Sequence, residues 1–341
     1  PFYQPAGTPI VPKSSSYANM KQAGFTMQNL DGVWQGDATA FADFFGDGTL
    51  SIVSHTLEYD HKNINTSNKF GHIKFFQQVN GMWVDNTTKL LSNDVGCLHP
   101  RKAVVADYNG DGRADVLFAC HGFDAAPFVG EKQVFLMSQP NGTYSNSKTA
   151  FNCFCHGASA AVLKNDGYAD ILIADQTVEK KPYFLINNGD GTFTKDTSRL
   201  PDMDHKQIWT AELIDVDANG KFDAFLAGAD PRGDGYQIAP TIFMNDGVNT
   251  FNDRKIEIPL AKVTFADVVT LDIVLDNNAA YLLRTNYAEV SVQKTDLSTL
   301  TTKEVYHHAG IYVKGAWFPW INIQGDYLEP FNITGVKIPK G

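Results

Sequence analysis

Val104-Val-Ala-Asp-Tyr-Asn-Gly-Asp-Gly-Arg-Ala-Asp-Val-Leu-Phe-Ala-Cys120 decides how this chain is read. Two short apolar runs flank a loop with oxygen-bearing side chains at alternate positions, Asp107, Asn109 and Asp111, followed by Gly112 and then Asp115. Ca²⁺ takes roughly six to eight oxygen ligands, and a chain that offers one at every second residue can wrap a single ion while glycine permits the bend. The backbone carbonyl of Arg113 is expected to join the shell, and Asp115 to close it as the next strand begins. An EF-hand needs a helix on each side, but Val104–Ala106 and Val116–Ala119 are too short and too β-prone, so the loop joins two strands.

The unit recurs at Ala211–Ala227 with Asp215, Asp217, Asn219, Gly220 and Asp223, the carbonyl of Lys221 standing where that of Arg113 stood. Weaker copies follow the same outline. Phe41–Val53 retains Asp43, Asp47 and Gly48 but has Phe45 and Ser51 at ligand positions; Ala160–Ala174 retains Asp166, Gly167 and Asp170 with Lys164 near the ion's place. Phe265–Val274 keeps only Asp267 and Asp272, and Trp320–Ile333 only Gly325 and Asp326. Two loops of the six are therefore expected to hold Ca²⁺.

A second signature alternates with the first: an apolar strand, a tight Asn/Asp/Gly turn, then an aromatic or apolar residue opening the next strand. It occurs at Phe25–Trp34, Ile73–Trp83, Val134–Tyr144, Tyr183–Phe193, Thr241–Phe251 and Val290–Leu300. Four strands per unit of some 50–60 residues is the arithmetic of a β-propeller blade. The expected fold is all-β, a single propeller domain over residues 1–341 with six four-stranded blades, or seven if a degenerate one hides after Tyr306. Because the chain opens on a hairpin and ends on loop-bearing strands, one blade is expected to be completed by both ends, closing the ring.

These residues resemble the FG-GAP or VCBS repeat family, most closely at Ala106–Asp115 and Asp215–Asp223. Its members include the integrin α-chain propeller, propeller lectins and exported bacterial proteins. The resemblance implies the propeller fold and calcium loops far more than any one activity.

Composition narrows the function. A net charge of −10 over 341 residues argues against binding a phosphate backbone, and the sequence holds no apolar run long enough to span a membrane. Cys97, Cys120, Cys153 and Cys155 are an even count, which suits disulfides in a secreted, periplasmic or cell-surface protein, with free thiols or a metal site as the alternatives. Arg232-Gly233-Asp234 sits in a glycine-rich acidic loop and reads as coincidence.

The face away from the acidic loops is expected to carry ligand binding, because several connections there are long and a rigid scaffold displays its function on such loops. His99, His156 and His205 each stand just upstream of an innermost strand, with Arg101 and Trp209 beside them and Asp124, Arg232 and Tyr236 on the long loops. The alternative for each histidine is a strand-start cap on a backbone carbonyl. Aromatic rings with Asp and Asn suit sugars, so a glycan or another cell-surface ligand is the expected partner. An enzyme with a central His/Arg site, a polysaccharide lyase or glycoside hydrolase, is a second reading, and a protein-interaction scaffold a third.

Overall fold

The structure, a computed structural model, describes residues 38–58, 69–123, 127–175, 181–203, 207–228, 239–245, 247–261, 269–285, 289–309, 311–313 and 316–318. The chain divides into two compact units, one ending at Ile258 and the other taking up the chain from Pro259.

The first unit holds four sheets, each an antiparallel four-stranded meander in chain order. Blade one is β1 (Ala38–Ala42), β2 (Ser51–His55), β3 (Ile73–Val79) and β4 (Met82–Asp85). Blade two is β5 (Pro100–Ala106), β6 (Asp115–Cys120), β7 (Glu131–Ser138) and β8 (Tyr144–Cys153). Blade three is β9 (Cys155–Ala161), β10 (Asp170–Asp175), β11 (Tyr183–Asn187) and β12 (Phe193–Asp196). Blade four is β13 (Ile208–Ile214), β14 (Asp223–Gly228), β15 (Thr241–Met244) and β16 (Arg254–Glu257). The innermost strands β1, β5, β9 and β13 lie side by side. The second unit holds the fifth blade, β17 (Val269–Asp276), β18 (Ala279–Thr285), β19 (Glu289–Asp296) and β20 (Thr301–Ala309), and a two-stranded hairpin of β21 (Ile311–Val313) and β22 (Ala316–Phe318). No helix among the described residues is long and apolar enough to cross a membrane.

The architecture of the described residues is thus an all-β propeller of five four-stranded blades, not the six or seven that counting signatures suggests. One supposed loop repeat is overturned in its described half: Asp272 lies within β17, and the β17–β18 connection is a tight turn through Asn277, whose φ of 53° suits that residue, while Asp267 lies outside the described residues. The supposed outer hairpin at 25–34 lies outside the described residues, as does the loop at 320–333. After β20 the described residues show only the β21–β22 hairpin, so a blade closed by both chain ends has no counterpart among them.

Strands β6, β10 and β14 are buried along their whole length. Side chains alternate across a strand, so a sheet covered on both faces needs apolar residues at successive positions. Val116, Phe118 and Cys120 of β6 meet Phe44, Val53 and Phe75 of blade one, while Leu117 and Ala119 meet Ile171 and Ile173 of blade three. The next sheet repeats the scheme: Leu172 and Ala174 face Leu226 and Phe243 of blade four. One continuous apolar run per blade therefore serves two cores. Gly157 permits β9 and β13 to approach, since a Cβ there would lie 2.9 Å from the Trp209 carbonyl oxygen.

Candidate functional site

The loops between the inner strands share one construction. Asp107 accepts the amides of Gly110 and Asp111 on Oδ1 and of Gly112 on Oδ2, at 2.7, 3.2 and 2.8 Å. Asp215 accepts those of Asn219 and Gly220 at 3.0 and 2.8 Å, and Asp43 those of Asp47 and Gly48 at the same distances. The turn requires two left-handed residues with one between them, filled by Gly46 and Gly48, Gly110 and Gly112, and Ala218 and Gly220. At Ala218 the left-handed conformation costs roughly 1–2 kcal/mol, which the bidentate cap helps to offset.

The closing acid acts as a clamp. Asp115 accepts the Tyr108 and Asn109 amides on Oδ2 (2.8 and 3.2 Å) and, on Oδ1, the Ser138 amide at the end of β7 (2.6 Å). Asp223 does the same with Val216 and Asn245, and Asp170 takes the Asn187 amide at the end of β11. In blade one Ser51 substitutes: its Oγ accepts the Phe44 amide and donates to the Ala42 carbonyl. Burial pushes the carboxyls of Asp115, Asp170 and Asp223 up.

In the fourth blade Asp215, Asp217 and Asp223 bring carboxylate oxygens within 4.8 Å of one another. Oxygen donors alone suit a hard divalent cation such as Ca²⁺. The second blade has Asn109 at the middle position, and its Nδ2 donates to the Ser138 carbonyl at 3.0 Å. Asp111 is engaged beside it, accepting the Ser138 hydroxyl at 2.6 Å and the Arg113 amide at 2.9 Å. The side chains of Arg113 and Lys221 reach carbonyls of the neighbouring turns, Gln139 and Gly247 respectively.

The loops of blades one, two and three are each also held by the blade that follows. The Phe44 carbonyl accepts the Tyr144 hydroxyl at 3.4 Å, the Tyr108 carbonyl accepts Asn187 Nδ2 at 2.7 Å, and the Leu163 carbonyl accepts Asn249 Nδ2 at 2.8 Å.

Opposite these loops, at the other end of β5 and β6, stands a chain of imidazoles. Six residues of strand separate the ends, about 20 Å at some 3.3 Å per residue. His99 Nδ1 lies 3.3 Å from His121 Nδ1, and His121 Nε2 lies 3.0 Å from His156 Nε2. The Trp209 ring meets His156 edge-on at 4.1 Å, and Phe154 covers His121 at 3.5 Å, both between ring centroids. Burial, then the Arg101 charge, drives the His121 and His156 imidazoles well below the ordinary range, so both are neutral near pH 7. One ion cannot take all three rings through a single atom of His121, because its two nitrogens face opposite neighbours. The indole Nε1 of Trp209 is buried and has no hydrogen-bond partner.

Of the residues the sequence singles out for a ligand, His99, Arg101, His156 and Trp209 are brought together, while Asp124, His205, Arg232 and Tyr236 lie outside the described residues. His121, the middle of the chain, escaped sequence reading; its signal was its place beside Cys120, which pairs with Pro100 and so sets it across from His99. The residues that receive each clamp, Ser138, Asn187 and Asn245, also escaped, although a polar residue at or just after the end of each third strand marks them. The cysteines pair as Cys97–Cys120 and Cys153–Cys155, which removes thiolate ligands from both Cys-His groupings.

Residues 163–226 match the model for FG-GAP-like repeats. No curated protein matches the chain. Among solved structures, a protein of Bacteroides uniformis provisionally assigned as a 6-phosphogluconolactonase is 13% identical with a TM-score of 0.49, covering 88% of this chain and 78% of that one. A second, from Bacteroides fragilis with the same provisional assignment, is 12% identical with a TM-score of 0.46, covering 87% and 77%. Likenesses of this degree carry no argument about activity.

Proposed function

We propose that this chain, a β-propeller of the FG-GAP-like repeat family, is an exported binding module whose inner loops take Ca²⁺ as a structural ion. The observation that carries the reading is the convergence of Asp215, Asp217 and Asp223 in the fourth blade. Asp107, Asn109 and Asp115 hold the same stations in the second. A bound ion would be held by these side chains with the Lys221 or Arg113 carbonyl, and would supply charge neutralisation at the turn. The two disulfides support an oxidising compartment.

Asp217 isolates the ion, because it is exposed and carries no backbone clamp. Asp217→Asn should weaken terbium or calcium binding at one site by about tenfold or more, and leave the melting temperature in EDTA unchanged. Calorimetry that finds no calcium binding to the wild type would remove the structural-ion role.

A second element concerns the ligand. Trp209 offers a half-buried ring at the end opposite the acidic loops, and this favours a glycan, whose apolar face stacks on such a ring. Trp209→Ala removes the ring; on a glycan array it should lose at least about fivefold of wild-type signal. Absence of any wild-type signal would leave the glycan reading without support.

A further inference from the structure

We infer that Lys164 is the resident cation of the third blade, an ammonium standing in for a divalent ion, and that its removal turns this loop into an added divalent-cation site. The inference rests on the calcium reading above for the identity of the ion, but not for the role of the lysine.

The third loop is a full-length copy of its neighbours, Ala161 pairing with Asp170 as Ala106 pairs with Asp115. Asn165 and Gly167 reproduce the two left-handed positions, with φ of 59° and 86°. Asp166 follows at the station of Asp111, and Asp170 closes the loop as Asp115 and Asp223 do. Val162 stands where the first acid should be, and no amide at the start of the loop bonds the closing carboxylate through Oδ2. Asp170 Oδ1 keeps its clamp on the Asn187 amide at 2.7 Å. Its Oδ2, which in blades two and four accepts amides at the start of the loop, is buried here without a partner.

Into this acidic pocket comes Lys164, which takes the position of Asn109. Its Nζ lies 3.0 Å from Asp166 Oδ2 and 3.7 Å from Asp170 Oδ1, and it donates to the Asn187 carbonyl. The ammonium thus contacts two carboxylates and one carbonyl from the two places a metal ion would draw on, the loop and the end of the third strand. Asp170 is wholly buried, and a buried carboxylate needs a compensating charge. Both a protonated amine and a divalent ion meet that need, but the amine comes with the chain.

The test compares wild type with Lys164→Met in EDTA and in excess calcium, reading melting temperature and the number of bound terbium ions. Lys164→Met should melt about 5 °C lower in EDTA, recover most of that loss in calcium, and bind one more ion than the wild type. Lys164→Arg should keep the wild-type melting temperature and ion count. Asp170→Asn added to Lys164→Met should abolish the extra ion. Lys164→Gln, shorter and neutral, carries the same expectations and serves if the methionine variant does not fold. No added ion in either neutral variant overturns the proposal, whatever the melting temperature does. The wild-type count alone tests the calcium reading, so the two can fail separately.

Discussion

Asp115→Ala is expected to destabilise the chain by about 3 kcal/mol with no calcium present. Its carboxylate accepts the Tyr108, Asn109 and Ser138 amides, and the Tyr108 and Ser138 residues are buried. Each buried amide left without an acceptor costs about 1–3 kcal/mol, while removing a desolvated carboxylate returns part of that. Blade one shows what a neutral replacement can do, because Ser51 fills the same station and accepts the Phe44 amide at 3.0 Å. Asp115→Ser should therefore recover part of the alanine loss in EDTA and none of any calcium-dependent gain. Urea unfolding of the three proteins with and without calcium separates the two roles. An alanine variant as stable as wild type in EDTA would show that the clamp carries no weight.

Acid should unfold the protein earlier than its carboxylates alone require. His55 is fully buried, with Nδ1 bonded to the Thr56 carbonyl at 2.8 Å and Nε2 accepting the Cys97 amide at 2.9 Å. Burial holds its imidazole down to about 4 against an ordinary 6.5. The unfolded chain therefore binds a proton near pH 6.5 that the folded chain refuses until about pH 4, and stability falls through that window. His55 alone accounts for about 3 kcal/mol, and His121 and His156, held down by burial and then by Arg101, act in the same direction.

Glu131, Asp115, Asp170 and Asp223 oppose this, since burial raises their carboxyls and the folded state then takes up protons first. The comparison that cancels them is wild type against His121→Gln. Unfolding free energies in EDTA at pH 7, 6, 5 and 4 should fall less steeply for the variant, by at least about 1 kcal/mol across the range. Parallel profiles would mean that the His121 imidazole is charged no less readily folded than unfolded.

The blades and their loops were legible because each rests on local chemistry. Asp107 and Gly112 fix a turn within a few residues, and Val116–Cys120 announces a strand covered on both faces. The blade number was not legible, because it depends on which apolar stretches pair. Asp272 looked like a loop acid by spacing, yet it sits in β17, where alternation of Ile273 inward and Val274 outward governs. The imidazole chain was half legible. His99 and His156 were marked by their place at strand starts, whereas His121 joins them only through cross-strand pairing, which no spacing along the chain reveals. Nor could spacing show that burial leaves the His121 and His156 rings neutral.

The bonds from each blade to the loop before it give the chain a direction in time. The Phe44 acceptor is made 100 residues before its donor Tyr144, the Tyr108 acceptor 79 before Asn187, and the Leu163 acceptor 86 before Asn249. Chains emerge N-terminus first during synthesis. The hairpins of blades two, three and four thus each emerge after the acceptor they bond, and each blade can serve as the mould for its successor.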